Sequence, residues 1–468
     1  MNNNEHIQSQ QNDWIEYLKN SDLPLVLYGT AVLANYVKYL LDCLNIKIDF
    51  VAVDKEYLKP NMKFHNFEVL PLEDVLANNS KINIIMAFID KTVETRYALS
   101  KLNNFPNVQK CMFFDRLNIR EYLLKDAKTQ KEKVERVRGF IKINPDIYLK
   151  DEETARAIAE NWNGEIKKPS NLRFIKNAIP VVLAANEDFA PYLAVMLQSV
   201  LDNSNPQRIY HFIIFERSFT PKTKSALTNQ VLKYPNCEID FIDVTSAFDE
   251  IPLVPVSIQN FNSLSIDTYS RFFIPYWFDE YPKVIYLDSD MIAKTDISEL
   301  YDLDIKNHCM GSVRSPAMNY YLERNIYSAF SSPPFIFLED WSRYINAGVL
   351  VFDTKKFSSK FPYTDFLKFA IYFSNRYAKH VCDQDILAIS LNGDFFALPP
   401  EWNYVWSAPK GNDGCRYLPA DPNTKIIHFT TVVKPWKDDP RIENNPDVLA
   451  YREYAKTVPL FKERVCLP

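Results

Sequence analysis

Apolar residues along this chain fall into short unbroken runs separated by polar, helix-compatible stretches. In the first third, the runs at 25–28, 48–53 and 82–88 read as strands, with a helix over 34–44 and a fourth short strand at 111–114. Strands alternating with helices predict a parallel sheet in a small α/β module. A second series begins near Ile179. It predicts a strand at 180–185, a helix over 190–201 and strands at 211–215, 239–244, 283–287 and 347–353. The run Val284-Ile285-Tyr286-Leu287 is apolar at every position, the pattern of a strand covered on both faces. Between the two series, residues 121–137 are dense in Lys and Glu without an apolar stripe. Residues 151–162 read as a helix stopped by Asn163-Gly164. The expected division is an α/β module at 1–120, a helical connector at 121–175, a larger α/β domain at 176–440 and a C-terminal helical tail at 441–468.

Composition narrows the class. A chain of 468 residues exceeds one hydrophobic core, so more than one domain is expected. The formal charge of −5 gives no general attraction to nucleic acid or to an anionic membrane. The cysteines number seven, an odd count, and none forms a Cys-x-x-Cys pair. Reduced thiols are therefore expected, rather than a disulfide framework or a zinc site. Met1-Asn2-Asn3-Asn4-Glu5 is not the basic start of a secretion signal, and no apolar stretch is long enough to span a bilayer. A cytoplasmic protein is expected. The tail after Asp439 mixes Arg441, Arg452, Lys456, Lys462 and Arg464 with Tyr451, Tyr454 and Phe461. For that tail a packed helix and a weak peripheral contact with the inner membrane both stay open. The sequence is silent on oligomeric state.

In the first module, Gly29 opens the turn after the first strand and Asp54 follows the second. A dinucleotide-binding fingerprint wants three glycines there, and the turn has one. The expected module is Rossmann-like without a nicotinamide cofactor.

The candidate chemistry sits at the end of the run 284–287, which leads into Asp288-Ser289-Asp290. Open α/β sheets bind ligands beyond the carboxyl ends of such strands. Two carboxylates at i and i+2 form a hard oxygen site for a divalent cation, which could neutralise a diphosphate. Alone, such a pair is more often a solvated turn. Other segments change that reading. They are Ala184-Ala185-Asn186-Glu187-Asp188-Phe189, Ile266-Asp267-Thr268-Tyr269-Ser270-Arg271 and Asn346-Ala347-Gly348-Val349-Leu350. Asp383-Gln384-Asp385, Trp402-Asn403 and the stretch from His428 through Lys434-Pro435-Trp436 follow.

In this order and spacing the segments resemble glycosyltransferase family 8 over roughly residues 179–440. The resemblance implies a GT-A catalytic domain and a retaining, metal-dependent enzyme that moves a hexose from a UDP-sugar. The implied donors are UDP-glucose and UDP-galactose. The implied acceptor is a surface glycan or glycolipid such as a lipopolysaccharide core, with no nucleic-acid partner. It also implies Mn²⁺ or Mg²⁺ held by Asp288, Asp290 and His428. Mixed oxygen and imidazole ligation suits Mn²⁺ better than Ca²⁺.

The family pattern assigns the other roles. Lys434 would meet the diphosphate and Arg271 the diphosphate or the donor sugar, and Ser289 and Thr431 lie in matching binding segments. Asn346, Ala347 and Gly348 would line the donor sugar, with glycine permitting close approach. Asp383 would grip sugar hydroxyls, and Gln384 would stand beside the anomeric carbon as nucleophile or as stabiliser. Ala184, Asn186, Asp188 and Phe189 would surround the nucleoside. Phe189 as a uracil platform competes with plain core packing. Asp188 as a base or ribose reader competes with a helix N-cap. Three positions depart from the family pattern. Asn186 replaces a common Asp, Thr431 replaces a common Gly, and no Asp follows Gly311, where Ser312, Arg314 and Ser315 stand. These departures motivate an alternative: a non-catalytic nucleotide-sugar-binding scaffold on the same fold.

Overall fold

The computed structural model describes residues 14–87, 98, 101–102, 104–113, 119, 122–124, 127–164, 167–255, 266–324, 326, 330, 333–377, 381–406, 417–430 and 433–465. The chain divides into two compact units. One comprises Met1–Ile147 with Ile326–Ile336, the other Tyr148–Asn325 with Phe337–Pro468. The segment expected as a connector is shared between them: helix Gln130–Lys142 lies in the first unit and helix Glu152–Asn161 in the second.

The first unit holds strands β1 (Leu25–Tyr28), β2 (Phe50–Val53), β3 (Lys63–Phe64), β4 (Phe67–Pro71), β5 (Ile82–Met86) and β6 (Val108–Phe113). Their order is β3-β4-β2-β1-β5-β6, parallel except for the β3–β4 hairpin. This is the Rossmann-like sheet expected from the alternating pattern. Gly29 follows β1 with φ +116°, and a Cβ there would stand 3.2 Å from the Ala87 carbonyl oxygen, so the turn requires glycine. Asp54 is committed within the unit. It accepts from Tyr28 Oη at 2.5 Å and pairs with Lys101 at 2.6 Å, while Lys101 also pairs with Glu73.

The second unit is built on β7 (Ala178–Asn186), β8 (Ile209–Arg217), β9 (Cys237–Asp243), β10 (Lys283–Leu287), β11 (Met291–Ala293), β12 (Met310–Arg314), β13 (Ile345–Asp353), β14 (Phe396–Ala397), β15 (Tyr404–Val405) and β16 (Ile426–His428). Seven of these form a sheet in the order β14-β12-β13-β10-β7-β8-β9. β10, β7, β8 and β9 run parallel, and β13 joins β10 antiparallel. β10 is central, which explains its uninterrupted apolar run: Val284 to Leu287 are all buried. A separate three-stranded sheet, β11-β16-β15, stands just beyond the Asp288–Asp290 turn. Helix Ala190–Asp202 is apolar almost all round and buried in the same core. Helices Pro446–Thr457 and Pro459–Arg464 add Val448, Tyr451, Ala455, Leu460 and Phe461 to that core, so the C-terminal segment is packed. Among the described residues, no helix is long and apolar enough to cross a membrane.

Candidate metal and diphosphate site

The site forms where β10 ends. Register places Leu287 beside Leu183 of β7, which brings Ala184 level with Asp288. Ser289 Oγ donates to the Ala184 carbonyl at 2.8 Å and fixes the turn between the two aspartates. The Asp288 N–H donates to the Gly348 carbonyl at 2.9 Å. Immediately after Asp290 the chain enters β11, which pairs antiparallel with β16 so that Met291 faces His428. This pairing delivers the histidine. Its Nε2 stands 3.2 Å from Asp290 Oδ1 and 3.6 Å from Asp288 Oδ2. One ligand atom from each of the three residues lies within 4.8 Å of the others.

The donor set fits a divalent cation. Two ligands each about 2.1 Å from one ion at right angles stand about 3 Å apart, close to the separations seen. Two hard carboxylates with one imidazole suit a first-row metal of borderline character. Gly348 provides a further observation. A Cβ there would stand 2.3 Å from His428 Cε1 and 2.7 Å from Met291 Cε, so the missing side chain is the space the imidazole occupies. The sequence reading expected Gly348 to admit a sugar. In the structure the group in closest approach is His428.

Electrostatics around the acids are divided. Burial pushes the Asp290 carboxyl up, yet Lys434 and His428 outweigh burial and hold it below the ordinary carboxylate range. Lys434 Nζ donates to Asp290 Oδ2 at 2.6 Å and to the Phe429 carbonyl at 2.6 Å. Arg271 is buried over the Tyr286 ring, 4.3 Å from its centroid. It donates to Asp288 Oδ1 at 3.0 Å, to the Ala347 carbonyl at 2.5 Å and to the Thr268 carbonyl at 2.9 Å, and its Nε lies 3.0 Å from Asp383 Oδ2. Arg271 thus bridges two acids, Asp288 and Asp383. Tyr286 Oη also donates to Asp288 Oδ1 at 2.8 Å.

Helix Asp383–Leu391 presents its first turn to the same place. Burial pushes the Asp383 carboxyl up, and Arg271 offsets only part of that rise. Gln384 Oε1 accepts the Ala347 N–H at 3.0 Å, and its Nε2 donates to Tyr344 Oη at 3.0 Å. Tyr344 in turn donates to Asp385, whose carboxyl is pushed by burial up to about 6 despite hydrogen bonds from Tyr344 and Cys382. Asn346 Oδ1 accepts from the Gly348 N–H at 3.0 Å and from Asn403 Nδ2 at 2.7 Å. Asp288, Asp290, His428, Lys434, Arg271, Ser289, Ala184, Asn346, Ala347, Gly348, Asp383 and Gln384 thus form one connected cluster.

The nucleoside candidates lie at the start of the next helix. Asn186 Oδ1 accepts the Phe189 N–H at 3.1 Å, so Asn186 rather than Asp188 makes the local cap, and Asp188 is left exposed. Phe189 is 42% exposed, so core packing does not describe it. Its ring meets Tyr192 edge-on at 5.4 Å, and Tyr192 stacks on Trp436 at 3.9 Å, which ties this helix start to the Lys434 segment. Thr431 lies outside the described residues. Ser312 is a buried β12 residue whose hydroxyl donates to the Asn346 carbonyl at 2.9 Å. Sequence reasoning passed over Asn403, Tyr344, Asp385 and Glu187 as site residues. Asn403 and Asp385 stood inside the motifs that carried the resemblance, and that was their signal. Glu187 likewise stood inside the segment 184–189, while Tyr344 had no signal beyond its neighbours.

A family model described as "Glycosyl transferase family 8" matches residues 180–440, more than half of the chain. The chain belongs to glycosyl transferase family 8. General stress protein A of Bacillus subtilis is 24% identical over 290 residues, covering 59% of this chain and 93% of that protein. Lipopolysaccharide 1,2-glucosyltransferase of Escherichia coli is 26% identical over 159 residues, covering 33% of this chain and 44% of that protein. Among solved structures, that of the WbbM bifunctional glycosyltransferase in its apo form superposes with a TM-score of 0.51 at 20% identity. The match covers 80% of this chain and 65% of that one. The family 8 unit therefore has the GT-A fold, an α/β architecture, preceded by the Rossmann-like α/β module.

Proposed function

We propose that this family 8 protein is a retaining, metal-dependent hexosyltransferase. It moves glucose or galactose from a UDP-sugar to a surface-glycan acceptor such as a lipopolysaccharide core. The observation that carries this reading is the convergence of Asp288, Asp290 and His428 at the carboxyl end of β10. These three residues would hold Mn²⁺ or Mg²⁺, which when bound supplies Lewis-acid stabilisation of the leaving diphosphate's charge.

The chain's own groups account for the rest. Lys434, which pairs with Asp290, would share its charge with a diphosphate. Arg271 keeps Asp288 and Asp383 in fixed register. Asp383 faces the sugar hydroxyls. Gln384 acts as a stabiliser of positive charge at the anomeric carbon rather than as a nucleophile. The Ala347 N–H already draws on Gln384 Oε1, which lowers that oxygen's nucleophilicity while leaving its dipole fixed. The leaving phosphate oxygen then serves as the base for the acceptor hydroxyl on the same face.

The test is hydrolysis and transfer with UDP-glucose and UDP-galactose in the presence of Mn²⁺, with the anomeric configuration read by NMR. Loss of turnover in EDTA and in Asp288→Ala with Asp290→Ala supports the reading; full activity in that double variant refutes it. The departures from the family pattern at Asn186 and Thr431 motivate a second reading, a nucleotide-sugar-binding scaffold. Tight metal–UDP binding by calorimetry, with no turnover of any donor, selects that alternative.

A further inference from the structure

We propose that Asn403 and Asn346 form an amide relay that sets the tautomer of His428, making both asparagines positioning residues for the cation site. The relay rests on the metal-binding reading above. The Gly348 backbone N–H is unambiguously a donor, and it reaches Asn346 at 3.0 Å, so the Asn346 atom it meets is the carbonyl oxygen. Asn403 lies 2.7 Å from that same oxygen and therefore turns its NH₂ toward it. The other end of the Asn403 amide, its oxygen, then faces His428 Nδ1 at 3.0 Å. An amide oxygen only accepts, so Nδ1 carries a proton.

A neutral imidazole with Nδ1 protonated has its lone pair on Nε2, the nitrogen that points between Asp288 and Asp290. The opposite neutral tautomer would place a lone pair against the Asn403 oxygen and remove the ligand from the site. Asn403 and His428 are both buried, so the amide chain is what defines the ring's polarity. A partner that holds the far nitrogen of a ligating histidine typically contributes about 10–100-fold in metal affinity. Asn346 therefore acts through the histidine, in addition to any contact it makes with a donor sugar.

The experiment is Mn²⁺ titration of the full-length protein by electron paramagnetic resonance, without donor. Wild type, Asn403→Ala, His428→Ala and the double variant form a thermodynamic cycle. Asn403→Ala is expected to weaken Mn²⁺ binding about 10–100-fold. In the His428→Ala background the same change is expected to have no further effect, a pattern that general structural damage does not produce. Asn346→Asp keeps an acceptor for both donors and is expected to bind without loss, whereas Asn346→Leu binds weakly. Wild-type affinity in Asn403→Ala, or an undiminished effect of that change without His428, overturns the relay. A wild-type protein that binds no Mn²⁺ overturns the cation reading itself, and the relay with it.

Discussion

The imidazole of His428 lies over the α-carbon of Gly348, closer than any side chain at 348 would allow. The glycine and the histidine are thus one steric unit, although they come from β13 and β16. Gly348→Ala forces the ring or Met291 to move. Expected are a fall in Mn²⁺ affinity of at least about tenfold and a stability loss of about 1–3 kcal/mol from overpacking. Manganese titration and chemical denaturation measure the two separately. Unchanged metal affinity would show that the ring is free to reseat.

Arg271 ties the cation site to Asp383. Arg271→Met leaves Asp288 and Asp383 without their buried counter-charge, and a loss of about 3–5 kcal/mol is expected. Arg271→Lys keeps the charge but not the forked geometry that serves two carboxylates and the Ala347 carbonyl together. It is expected to fall between wild type and Arg271→Met in urea midpoint. A lysine variant as stable as wild type would mean that charge alone matters here.

Asp385 gives a pH signature. Burial disfavours the anion and pushes its carboxyl up to about 6, above the ordinary range. Between about 4 and 6 the folded state therefore binds more protons than the unfolded state, and stability falls as pH rises through that window. Asp385→Asn removes this contribution. The melting temperature of the variant relative to wild type should climb from pH 4 to pH 6.5 and then level off. A constant difference across that range would contradict the assignment.

Arg464, near the end of the chain, reaches back to the nucleoside segment. It donates to Glu187 Oε1 at 2.6 Å, to the Glu187 carbonyl at 3.3 Å and to Thr223 Oγ1 at 2.7 Å. Glu187 sits between Asn186 and Asp188, so the last helix steadies the segment proposed to hold the nucleoside. Arg464→Ala is expected to raise the donor KM with kcat unchanged, and to cost less than about 1 kcal/mol in stability because the pair is partly solvated. Initial-rate kinetics at varied UDP-sugar decide it. A lower kcat at unchanged KM would place Arg464 elsewhere in the reaction.

The sequence by itself determined the apolar strands β1, β2, β5, β7, β8, β9, β10 and β13, because runs such as 284–287 carry the pattern of a strand covered on both faces, whereas the short strands β3, β4, β11, β12 and β14 to β16 were not legible in it. It likewise determined that two carboxylates leave the sheet at its carboxyl end. It also carried the family, through motifs whose order survives low identity. Which groups those carboxylates meet was decided by tertiary structure. His428 arrives because β16 pairs with β11 in one register. Arg271 meets the acids because the 3₁₀ helix Ile266–Phe273 buries it against Tyr286. Asn403 reaches His428 because β15 runs alongside β16. Hydrophobic periodicity is a local property, written residue by residue. Hydrogen-bond partners across a sheet depend on register between strands distant in sequence, and a shift of one residue would turn His428 to the opposite face.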